Sequence, residues 1–130
     1  MKELPKISEA EYEIMRLIWD KHPISTNDVV AHFENISDWS PKTVQTLLSR
    51  LVKKGAVGYE KKGRVFVYSP LIDEGEYVKS ESRSFLKRFY NGALNSMVLS
   101  FVENGELSDD DITELERILD RAERKKNDVL

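Results

Sequence analysis

Trp39-Ser40-Pro41-Lys42-Thr43-Val44-Gln45-Thr46-Leu47-Leu48-Ser49-Arg50-Leu51-Val52-Lys53-Lys54-Gly55 carries a helix between two end signals. Ser40 offers a side-chain oxygen to the first free backbone N–H groups. Pro41 occupies the first helical position, where its missing N–H costs nothing, and Trp39 pairs with Val44 as a hydrophobic staple. Gly55 closes the other end in a left-handed cap. Between these ends Val44, Leu47, Leu48, Leu51 and Val52 recur at helical spacing, so one face belongs to a core. The opposite stripe is Lys42, Gln45, Thr46, Ser49, Arg50 and Lys53, and it holds no acid. A merely solvated helix face mixes both charge signs. Donor-rich side chains without an acid suit base edges and phosphates in a major groove wide enough for one helix.

The same start device recurs outward from this stretch. Ile7-Ser8 with Glu11 and Tyr12, Ile24-Ser25 with Asp28 and Val29, and Leu107-Ser108 with Asp111 and Ile112 repeat its layout. Helices are therefore expected over Glu9–Lys21, Thr26–Glu34 and Pro41–Lys54. The first buries Ala10, Ile14, Leu17 and Ile18 and stops before Pro23; the second buries Val29, Val30 and Phe33. After Gly55 the period changes. Residues 56–60 and 64–69 read as two strands joined at a tip Lys61-Lys62-Gly63, with Pro70 ending the second. Three helices and a hairpin are the order of a winged helix-turn-helix. Beyond Pro70 the pattern is helical again, over about 73–90, 95–102 and 109–124. The fold class expected is mostly α with a small β-hairpin: a winged-helix DNA-binding domain over 1–70, followed by an α-helical dimerisation region over 71–130.

Charge supports that division. The net charge is −3, yet residues 1–70 carry 11 basic and 9 acidic side chains and residues 71–130 carry 9 and 14. Within 41–64 there are 7 basic side chains and a single acid, Glu60. Such a patch neutralises phosphates and releases their counterions. Roles divide along it. Arg50 suits either a guanine or a phosphate. Lys42 and Thr43 lie in the first turn, where free N–H groups and the helix dipole favour a phosphate. Gln45 and Thr46 are candidates for base contacts. The hairpin tip, with Lys61, Lys62 and Arg64, would run along the neighbouring backbone or minor groove as a positioning contact.

Other classes find little support. With no cysteine there is no disulfide framework, thiolate metal site or cysteine nucleophile, as suits a reducing cytosol. No apolar run approaches the roughly 20 residues that span a bilayer, and the first residues lack a signal-peptide h-region, so a cytoplasmic protein is expected. His22 and His32 stand ten residues apart in sequence with no acid pair or nucleophile pattern beside them, which gives an enzyme nothing to work with. Asp109-Asp110-Asp111 opens a helix after Ser108, where the dipole favours acids without any cation. Trp19 and Trp39 suit core and staple better than stacking platforms. No cofactor and no metal are expected. Two rivals remain: a winged helix that binds a protein as an adaptor, marked by an apolar or acidic third helix, and a nonspecific DNA binder, usually a strongly basic chain.

The second half has its own pattern. Leu94, Met97, Val98, Phe101 and Val102 form one apolar stripe, and Ile112, Leu115, Ile118, Leu119 and Ala122 form another. About sixty residues of short helices bury little alone. A second copy would cover these stripes and set two recognition helices on a symmetric site; the alternative is packing against the winged helix of the same chain.

Ser8-Glu9-Ala10-Glu11 leading to Trp19, then the stretch 39–55 with its WSPKT and LLSRLVKKG motifs, then Asn95–Val102 and Leu107-Ser108, resemble the penicillinase and methicillin-resistance repressor family (the BlaI/MecI group, with the copper-responsive CopY proteins). The resemblance covers nearly the whole chain. It implies a homodimeric winged-helix transcriptional repressor on a dyad-symmetric operator, controlling an antibiotic-resistance-type or related stress operon, with DNA contacts at Lys42, Thr43, Thr46 and Arg50. Gln45 stands where members often have Arg. Members that control β-lactam resistance are inactivated when a sensor-linked protease cuts an Asn-Phe bond in the dimerisation region. The matching bond here is Ser100-Phe101, a departure at its first residue. The copper-responsive members' C-terminal cysteine cluster has no counterpart in a chain without cysteine.

Overall fold

Four serines set the helix starts. In the computed structural model, which describes residues 3–128, Ser8 opens α1 (Glu9–Asp20) with a complete capping box. The Glu11 N–H donates to Ser8 Oγ at 3.1 Å, and Glu11 Oε1 accepts from the Ser8 N–H at 2.9 Å. Ser25 caps α2 (Thr26–Glu34) and Ser40 caps α3 (Pro41–Lys53), each accepting one backbone N–H at 3.1 Å. Ser108 opens α6 (Asp109–Asp128) and exchanges hydrogen bonds with Asp111. Between lie α4 (Glu74–Tyr90), where Asp73 accepts from the Glu76 N–H, and α5 (Leu94–Glu103).

The sheet departs from the expected hairpin in two ways. It has three strands, in the order β1-β3-β2, with β1 (Ile24–Ser25) antiparallel to β3 (Val65–Pro70) on the side opposite β2 (Val57–Lys62). Two residues carry no periodicity; Ile24 is placed by burial and by pairing with Tyr68. The tip also shifts. Lys61 and Lys62 belong to β2, paired with Phe66 and Val65, and the turn is Gly63-Arg64, where Gly63 supplies a φ of +67°. Strand alternation therefore sends Lys61 and Lys62 to opposite faces of the wing.

One core holds the first unit, which extends to Glu81. Ile14, Leu17 and Ile18 of α1 meet Val29 and Phe33 of α2, Val44, Leu47, Leu48 and Leu51 of α3, and Val57 of β2, all buried. Ala10, Val30 and Val52, expected in the core, are partly buried at its edge. Met15 and Glu11, not expected there, are fully buried because α1 turns a wider face inward than its aliphatic residues alone suggest. Each large apolar side chain here contributes about 1.5–3 kcal/mol. The start of α4 belongs to this unit as well. Tyr77 is buried, stacks on Tyr12 at 5.9 Å and lies 5.9 Å from Trp19, whose indole N–H donates to the Ile72 carbonyl at 3.0 Å.

The second unit begins at Ser82. Gly92, at φ +83°, closes α4 through a bond to the Leu86 carbonyl, and Gly105 closes α5 in the same left-handed way. Neither α5 nor α6 buries a residue. Among the described residues no helix is long and apolar enough to cross a membrane.

Candidate nucleic-acid interface

The buried face of α3 fixes which side chains it shows to solvent. With Val44, Leu47, Leu48 and Leu51 held in the core, Lys42, Thr43, Gln45, Thr46, Ser49, Arg50 and Lys53 are all exposed. Among the described residues none of Lys42, Arg50 and Lys53 takes part in an ion pair. Their charge is uncommitted, on a helix anchored from behind.

Hydrogen bonds within the stripe refine the roles. Ser40 Oγ already takes the Thr43 N–H, and Pro41 has none, so Lys42 is the first-turn residue of this expected phosphate pair whose N–H stays open. That corrects the expectation that Thr43 also offers its backbone; the cap occupies it. Thr43 can still use its hydroxyl, 3.1 Å from Ser40 Oγ. Thr46 donates its hydroxyl hydrogen to the Lys42 carbonyl at 2.9 Å. Outward it presents acceptor lone pairs and a methyl group.

On the wing, Lys61 Nζ lies 5.9 Å from the centre of the Phe66 ring, on the face that also carries Tyr59 and Tyr68. Tyr59 meets Phe66 edge-on at 5.3 Å and is 54% exposed. Lys62 shares the other face with Glu60, and Arg64 sits in the turn. The sequence singled out none of these aromatics, although Tyr59 and Phe66 share the parity of Val57 and Tyr68 that marks the core-side face.

Lys54 has a different surrounding from Lys53. Its ammonium donates to the Lys6 carbonyl at 2.8 Å and to Glu11 Oε1. The sequence carried a signal for this: Glu11 lies on the Ile14, Met15, Ile18 face of α1, where an acid needs a partner. Burial pushes the Glu11 carboxyl up, but the Lys54 ammonium and the Ser8 hydrogen bonds outweigh it, so its pKa lies below the usual 4.5. Tyr77 moves the other way, raised to about 12 by burial and by the nearby Glu81 carboxylate.

In the second unit the two apolar stripes face solvent. Leu94, Phe101, Val102, Ile112, Ile118 and Leu119 are exposed, and Met97, Val98 and Leu115 are half-buried. The Ser100-Phe101 bond lies within α5. His22 and His32 are both exposed.

Known proteins share this layout. The family described as "Penicillinase repressor" matches residues 7–121. The chain is 53% identical over 128 residues to a penicillinase repressor of Bacillus licheniformis, covering 98% of this chain and all of that one. It is 41% identical over 116 residues to the methicillin resistance regulatory protein MecI of Staphylococcus aureus, covering 89% of this chain and 94% of the relative. A solved structure of the Bacillus licheniformis BlaI monomeric form in complex with the blaP half-operator matches 59% of this chain and 94% of its own, at 55% identity and a TM-score of 0.52.

Proposed function

Because the chain belongs to the penicillinase repressor family, we propose that it is a transcriptional repressor whose α3 and wing hold operator DNA, one copy on each half of a dyad-symmetric site. It is a regulator and not an enzyme. The observation that carries this reading is the exposed stripe on α3, which holds no acid and whose cations form no ion pair among the described residues, backed by a buried apolar face. Arg50, Gln45, Thr46 and Ser49, all exposed on α3, would reach base edges. Lys42, Thr43 and Lys53, with Lys61, Lys62 and Arg64 of the wing, supply phosphate contacts that fix position. DNA reading thus lies within residues 1–70, and pairing within 71–130.

Pairing rests on the uncovered stripes of α5 and α6, which a second copy would bury. A monomeric relative on a half-operator fits the same arithmetic: one unit per half-site, two for the whole. Release would follow from breaking the pairing surface. Ser100-Phe101, on the α5 stripe, is the bond at which a sensor-linked protease would act. Such a repressor works where the DNA is, in the cytoplasm.

The test is fluorescence anisotropy against the DNA upstream of the protein's own gene, beside a scrambled duplex, over a salt series. Binding to a dyad-containing fragment should fall steeply with salt and be lost in Lys42→Ala/Arg50→Ala protein. Equal binding to both duplexes would indicate an architectural DNA-binding role, and no binding at physiological salt would end the DNA reading.

A further inference from the structure

The basic run Lys53-Lys54 joins two lysines with different surroundings, and the second is tied inward. Lys54 is the C-cap of α3, and its backbone N–H bonds the Arg50 carbonyl. Its ammonium reaches back to the Glu11 carboxylate and to the Lys6 carbonyl. The Glu11 side chain is 2% exposed, while that of Lys54 is 35% exposed. The same Oε1 of Glu11 also accepts the Ser8 N–H. One carboxylate oxygen thus joins the first turn of α1, the segment before it and the last turn of α3.

We propose that Glu11 and Lys54 form a strut that positions the recognition helix on DNA, Lys54 acting through Glu11 and making no phosphate contact of its own. This rests on the repressor reading above. To grip a phosphate, Lys54 would have to abandon a buried carboxylate, which is far costlier than an exposed ion pair is worth. The strut holds the end of α3 that carries Arg50 and Lys53, and slack there would move both relative to the groove. Distance sensitivity in a charge-assisted bidentate contact is high, so a small displacement of Arg50 weakens base reading while the count of neutralised phosphates stays the same.

The experiment compares wild type with Lys54→Met, Glu11→Gln/Lys54→Met and Lys53→Ala on the upstream fragment, at a temperature where circular dichroism shows every variant folded. Lys54→Met should weaken binding about tenfold with the salt slope unchanged. The double variant, which removes the strut without leaving an orphaned carboxylate, should stay about as weak as Lys54→Met with the salt slope again unchanged; recovery to wild-type affinity would trace the loss to the unpaired carboxylate and overturn the proposal. Lys53→Ala should lower the salt slope by about one. A slope lowered by about one in both Lys54 variants would make Lys54 a phosphate ligand and overturn the proposal. Unchanged affinity with only a lower melting temperature would reduce the pair to a stability device and overturn it equally. Wild-type binding in the same titration separates these results from failure of the repressor reading, because without it that reading and the strut fall together.

Discussion

At the scale of single residues, two titrations should bracket the stability of the first unit. The Glu11 carboxyl, with its pKa below 4.5 when folded, favours the folded state as the charged form. Its contribution is present above about pH 4.5 and disappears as the pH falls through the lowered folded value. Urea unfolding of wild type and Glu11→Gln should therefore differ at neutral pH and converge in acid. A difference that stays constant through the acid limb would remove Glu11 as the source. Tyr77 has the opposite sign. Its phenol, raised from 10.0 to about 12, favours the folded state as the neutral form, so that part of the stability persists below pH 10 and is lost as the pH rises through about 12. Tyr77→Phe should flatten the alkaline limb of the stability curve between those two values. Neither group announces its shift in a sequence read one segment at a time. Glu11 needs Lys54, 43 positions away, and Tyr77 needs first the burial that packing on distant Tyr12 and Trp19 provides, with Glu81 on its own helix adding to it.

Among elements, α3 shows why some boundaries are legible and others are not. Ser40, Pro41 and Gly55 act on their own turn of chain, so both ends of the helix can be written down from local chemistry. Replacing Ser40 with Ala should cost about 1 kcal/mol in denaturant unfolding. Gly55→Ala tests the other end. A Cβ there meets nothing within 4 Å, so the cost, again about 1 kcal/mol, would come from the φ of +78° alone. If that variant proves neutral, the left-handed cap does not constrain the link to β2. The wing was legible as two strands but not in its register. Lys61, Lys62 and Gly63 look like a polar tip in sequence, whereas cross-strand pairing carries both lysines into the ladder. β1 escaped because two residues have no period, and only the edge of β3 makes them a strand.

For the whole molecule, the division of charge and the division of burial run together. The basic patch and the buried core belong to the first unit, while α5 and α6 carry apolar stripes and bury no residue. The stripes were readable because helical period needs no partner to be seen; what covers them is not written in either stripe. If a second copy does so, Phe101→Glu should shift the protein from dimer to monomer in sedimentation velocity while leaving the first unit's melting intact. Binding to a full dyad should weaken far more than binding to a half-site. A monomeric wild type, or a dimeric Phe101→Glu protein, would count against that surface.

The bare second unit also bears on how such a protein is made and kept. If a second copy covers them, helices that bury no residue alone gain stability by mass action, so their order depends on how many chains are present. A newly synthesised copy in a cell holding few others would carry an intact DNA-reading head and a tail open to housekeeping proteases. Abundance would then set lifetime as well as occupancy, and dilution through growth would deplete the repressor faster than its synthesis rate alone dictates.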